Sequence, residues 1–109
     1  MVMTVKLEQG TKQFQGVFKE LWAVTLTAID FANAATGSGT FASVDVTVPG
    51  VAMGDIVMGV SVGVDTVDAV IGGAVTAANV VTLTLLNNSA GAIDLAATTG
   101  KLLVGRPAW

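Results

Sequence analysis

The sequence predicts an all-β fold: an antiparallel β-sandwich, jelly-roll or Ig-like, of six to eight strands with an N-terminal arm or short helix. Three observations carry this. The 109 residues include 18 Val and 13 Thr, residues that suit a pleated, half-buried surface. Thirteen Gly against two Pro supply tight turns. Apolar and polar residues alternate with period two in several runs separated by turn residues.

The N-terminal segment reads differently from the rest. Phe14, Val17, Phe18, Leu21 and Trp22 recur at helical spacing, which favours a short helix over residues 12–22. Gly16 weakens that helix by about 1 kcal/mol relative to Ala, and an extended arm is the alternative. Residues 1–22 are therefore set apart as an N-terminal arm or short helix, and 23–109 as the sandwich.

Leu21 to Phe31 reads as a strand, with Trp22, Val24, Leu26, Ala28 and Asp30 on one face. Ala32 to Gly39 is a small-residue loop. In the next strand, Thr40 to Val48, Val44, Val46 and Val48 share one face and Ser43, Asp45 and Thr47 the other. Pro49-Gly50 ends it, Pro fixing φ and Gly accepting positive φ in a type II turn. Asp55 to Val64 sets Ile56, Met58, Val60, Val62 and Val64 against Val57, Gly59, Ser61 and Gly63, and the glycines suggest close approach or a bulge. Val70 to Thr76 and Val80 to Leu86 pair across an Ala77-Ala78-Asn79 turn. Asn87 to Gly91 breaks the second of these, and Lys101 to Val104 is the last strand.

Composition excludes much chemistry. There is no His and no Cys, which removes imidazole bases, Ser-His and Cys-His nucleophile pairs, thiolate or imidazole zinc sites and disulfides. The net charge of −3 argues against nucleic-acid binding, which needs clustered Lys or Arg. From Leu21 to Gly100 there are six acids and no base. Charged residues make up 12% of the chain against about 25% in an average soluble domain, so some apolar surface is expected to be hidden by a partner. A membrane is not the expected partner. Ala69 to Ile93 is long and uncharged, but Thr, Asn and a Gly pair interrupt it, and the N-terminus lacks the apolar core of a secretion signal.

Motifs with chemical potential reduce to turns. Gly37-Ser38-Gly39 lacks the spacing of a phosphate loop. Asp65 and Asp68 lie three apart without a third acid nearby, short of the oxygens a calcium site needs. Asn87-Asn88-Ser89 matches the glycosylation sequon and reads as a turn. No catalytic residue, cofactor or metal is expected. Phe14, Phe18, Trp22 and Trp109 are the candidate contact residues, either packing the chain's own core or anchoring a protein–protein interface.

Val44 to Val57, V-D-V-T-V-P-G-V-A-M-G-D-I-V, resembles a pattern of small β-sandwich modules in tailed-bacteriophage virion proteins. The likeness continues in G-G-A-V-T-A-A-N-V-V-T-L-T-L-L-N-N-S-A-G-A-I-D, from Gly72 to Asp94, and in Asp30-Phe31 with Ala34-Ala35 before them. It covers roughly residues 28 to 104. Two departures stand out: Leu95 replaces the Pro that often follows A-I-D, and the T-L-T-L strand lacks a base. The resemblance implies a module of capsid decoration (cement) proteins, head fibres or tail-fibre attachments, and carries no catalytic residue.

The expectation is thus a non-enzymatic decoration protein. It would be made in the bacterial cytoplasm, assemble as a homotrimer and bind the outer surface of the major capsid protein shell, with residues 1–22 making capsid or oligomer contacts. A receptor- or glycan-binding fibre module is the alternative, and a hydrolase using two Asp residues is a third reading.

Overall fold

A computed structural model describes residues 16–31, 40–66, 68–89 and 91–109, together with the backbone of 3–8. The described residues form seven strands and no helix: β1 (Met3–Glu8), β2 (Phe18–Ile29), β3 (Thr40–Thr47), β4 (Ile56–Val62), β5 (Ala69–Ala77), β6 (Val80–Asn87) and β7 (Thr98–Pro107). They build two antiparallel sheets, one of four strands ordered β1-β2-β7-β4 and one of three ordered β3-β6-β5.

Period-two alternation explains which side chains turn inward. Trp22, Val24 and Leu26 of β2, Ala42 and Val46 of β3, Val81, Leu83 and Leu85 of β6, and Leu102 and Val104 of β7 are all buried. With Val48, Val51, Ile93 and Leu95 from the connections they form one hydrophobic cluster drawn from both sheets. At about 25 cal/mol per Å² of apolar surface, that burial is the main favourable contribution to folding.

Two irregularities change the pattern expected from the sequence. A register shift between Leu26 and Ile29 moves the phase of β2, so Ile29 and Phe31 are buried while Ala28 and Asp30 are exposed. A second shift, between Val57 and Gly59, accommodates Met58 as an extra residue. Val57 and Val60 therefore both pack on the core, and Ile56 and Met58 stay outside. The glycine-bearing face of β4 does mark a bulge.

The helix expected over residues 12–22 is corrected. Gly16 and Val17 form a turn and β2 starts at Phe18, while 12–15 lie outside the described residues. Pairing with β7 through Phe18–Pro107, Glu20–Arg106 and Leu21–Gly105 holds this stretch extended, and tertiary pairing overrides its helical stripe. The division at residue 22 therefore falls inside β2, and β1 belongs to the same sheet. The Ala32–Gly39 loop, with its Gly37-Ser38-Gly39, also lies outside the described residues.

Candidate contact surface

The turns that frame the sheets are held by short polar networks. Pro49-Gly50 forms the expected turn, with Gly50 at φ 97° and the Val51 amide donating to the Val48 carbonyl. It docks against the β5–β6 hairpin turn: the Gly50 amide donates to Asn79 Oδ1 at 2.8 Å, and Asn79 itself takes φ 66°. Asn79 further accepts from the Val48 amide and donates its own to the Val51 carbonyl.

Arg106, near the end of β7, ties this loop to the four-stranded sheet. Its Nε and Nη2 donate to the two carboxylate oxygens of Asp55 at 3.0 and 2.9 Å, and Nη2 also donates to the Gly50 carbonyl at 2.9 Å. Glu20 lies 3.9 Å from Nη1. The Asp55 side chain is only 4% exposed and accepts a further hydrogen bond from the Ala52 amide. Burial alone would push its carboxyl up; the hydrogen bonds and charge of Arg106, with the Ala52 amide, outweigh it and leave the carboxyl below its ordinary value.

The four candidate contact residues separate. Trp22 is 2% exposed and belongs to the core, so its expected contact role is corrected: period two places it beside Val24 and Leu26, under the Arg106 guanidinium. Phe14 lies outside the described residues. Phe18 and Trp109 come together, ring centroids 6.2 Å apart and tilted by 50°. The chain end is tied down there, because the Ala108 amide donates to the Val17 carbonyl at 2.9 Å.

Phe18 lies across the outer face of the four-stranded sheet. A Cβ at Gly105 would sit 2.7 Å from its ring and 3.1 Å from Met58 Cε, so glycine makes room for both side chains over β7. Around them Trp109 is 79% exposed, and Val17, Ile56, Met58 and Leu103 are also exposed. Beside this cluster runs an open groove of about 510 Å³, lined by Ala23, Thr25, Met58, Ser61, Lys101 and Leu103 among others.

The three-stranded sheet carries a second apolar row that the sequence reading missed. Phe41 pairs with Leu86, and Leu86 with Val70, so three side chains cross the outer face in one line. Phe41 is 67% and Val70 59% exposed, and Leu86 is exposed as well. The available signal was an aromatic on the polar face of β3, in step with Ser43, Asp45 and Thr47; only the register aligns it with Leu86 and Val70. Farther along the same face, Thr82 Oγ1 donates to Asp45 at 2.7 Å and lies 2.7 Å from Thr76 Oγ1.

The remaining motifs resolve as turns or exposed positions. Asn87 is fully buried and organises the β6 exit, its amide donating to the Gly91 carbonyl and accepting from the Ser89 amide and hydroxyl. Asp65 and Asp68 are exposed. Among the described residues no three His, Cys, Asp or Glu side chains group to hold a metal ion. Among the same residues, no helix is long and apolar enough to cross a membrane. Comparison with protein-family models, curated proteins and solved structures finds no match to this chain.

Proposed function

We propose that the chain is a β-sandwich decoration (cement) protein of a tailed-bacteriophage head. In this reading it is made in the host cytoplasm, assembles with copies of itself as a homotrimer, and seats on the outer surface of the major capsid protein shell. Its work is mechanical rather than catalytic. Each contact it adds exists only in the assembled shell, so mass action shifts the equilibrium toward the assembled head. A closed trimer suits the local threefold positions of an icosahedral lattice.

The observation that carries the reading is the exposure of large apolar side chains on both outer sheet faces, Trp109 and Phe41 foremost, in a chain with 12% charged residues. Contiguous apolar surface of this kind marks an interaction site. The core inside already draws on both sheets, so these side chains serve surfaces rather than folding. The sandwich and the capsid partner follow the resemblance over residues 28–104.

Quantitative mass spectrometry of purified particles of the encoding virus tests the proposal. The expected copy number approaches that of the shell subunit. A handful of copies per particle favours the receptor- or glycan-binding fibre module instead, and absence from the particle contradicts both.

A further inference from the structure

The two outer faces differ in charge as well as position. Four of the five basic residues, Lys6, Lys19, Lys101 and Arg106, lie in strands of the four-stranded sheet, with two acids, Glu8 and Glu20. Arg106 is engaged with Asp55 over Trp22, whereas Lys101 is exposed in step with Leu103. The three-stranded sheet contains no base in its strands and carries Asp45 on its outer face. Each face also bears an apolar cluster at one end. On β7, Lys101 lies four residues before Gly105, the position that Phe18 and Met58 cover. On β3, Asp45 lies four residues after Phe41.

These spacings match. Four residues of strand span about 13 Å, so each face presents an apolar cluster and a single charge at the same separation, with opposite signs. Thr82 holds the Asp45 carboxylate in place through its 2.7 Å hydrogen bond. Lys101 lines the groove beside Leu103.

We infer that the outer face of the three-stranded sheet of one copy packs on the outer face of the four-stranded sheet of the next, with Phe41 against the Phe18–Met58–Trp109 cluster and Asp45 against Lys101. The contact is heterologous: two different patches meet, so repetition closes a ring where the rotation between copies permits and otherwise continues as an open stack. Two copies joined by the same patch would leave each charge without an opposite partner, which only the crossed pairing supplies. The inference deepens the self-association within the proposed function and rests on that part of it alone.

The absence of cysteine from the 109 residues makes the contact directly testable in the purified chain. Phe41→Cys and Met58→Cys proteins, each verified as folded by circular dichroism, are mixed and treated with a short bismaleimide. The expected result is a crossed product joining one variant to the other, in excess over either variant joined to itself. Homotypic products alone, or no product, overturn the inference. Charge reversal gives the second arm. Asp45→Lys and Lys101→Asp should each weaken self-association by about tenfold or more, and the double variant should recover it. Single reversals without effect, or a double variant without recovery, also overturn it. Particle copy number is read separately, so a failed cross-link with high copy number removes only the head-to-tail contact. A crossed product from a chain absent in particles removes only the decoration role.

Discussion

Arg106 stacks its guanidinium 5.1 Å from the centre of the Trp22 ring, so a cation from the last strand covers the largest side chain of the core. The same guanidinium holds Asp55 and the Gly50 carbonyl, joining β2, β7 and the loop between β3 and β4 at one end of the molecule. Arg suits this position because a planar fork can stack and bond two carboxylate oxygens at once, which Lys cannot do.

Removing that fork leaves a nearly buried carboxylate unpaired. Arg106→Ala should destabilise the chain by about 2–4 kcal/mol, below the full cost of breaking a buried pair because Arg106 is itself partly exposed. Arg106→Lys should recover only part of the loss. Denaturant unfolding of Arg106→Ala, Asp55→Asn and the double variant measures the coupling, expected at about 1–2 kcal/mol. Additive effects would contradict the pairing.

Asp55 also gives the fold an acid sensitivity. Its carboxyl is held below its ordinary value of 3.8, so the folded state binds the proton less readily than the unfolded chain. The stability it contributes is complete above the unfolded value and declines as pH falls below about 4 through the folded value. Asp55→Asn should be less stable than the natural chain at neutral pH and lose less on acidification through that window. Parallel acid titrations of both proteins would contradict the assignment.

Asn87 predicts a large loss from a small change. Its buried amide satisfies the Ser89 N–H and the Gly91 carbonyl, so Asn87→Ala should cost about 2–3 kcal/mol through the groups left unpaired. Asn87→Asp keeps the acceptor for Ser89 but loses the donor to Gly91, and should also destabilise. Thermal unfolding with retained strand content measures both.

Gly50 is constrained by its backbone. At φ 97° an Ala pays about 1–2 kcal/mol of strain, and its Cβ would reach 3.4 Å from Trp22 Nε1. Gly50→Ala should therefore lower stability and shift Trp22 emission in a Trp109→Phe background. Gly54, at φ 100° with open space around its Cβ position, should show the strain without the emission change.

The strands were legible where alternation was clean. Val44, Val46 and Val48, and the Val81-Thr82-Leu83-Thr84-Leu85 run, keep one phase from end to end, and the Pro49-Gly50 turn lies where its chemistry requires. The phase of β2 beyond Leu26 was not legible, because a bulge shifts the inward side without a marker residue. Residues 18–22 misled because Phe18, Leu21 and Trp22 fit a helical stripe, whereas Phe18 covers Gly105 outside and Trp22 fills the core inside. The Phe41–Leu86–Val70 row and the Arg106–Asp55 pair join residues far apart in the chain, and only strand register brings them together.

Sedimentation velocity of the purified chain over a wide concentration range tests most directly whether the outer apolar faces are contact surfaces. The expected species is a closed oligomer of defined mass, a trimer, that dissociates when Phe41→Asp or Leu103→Asp places a charge on either face. A chain that sediments as a single monomeric species at every concentration would contradict it.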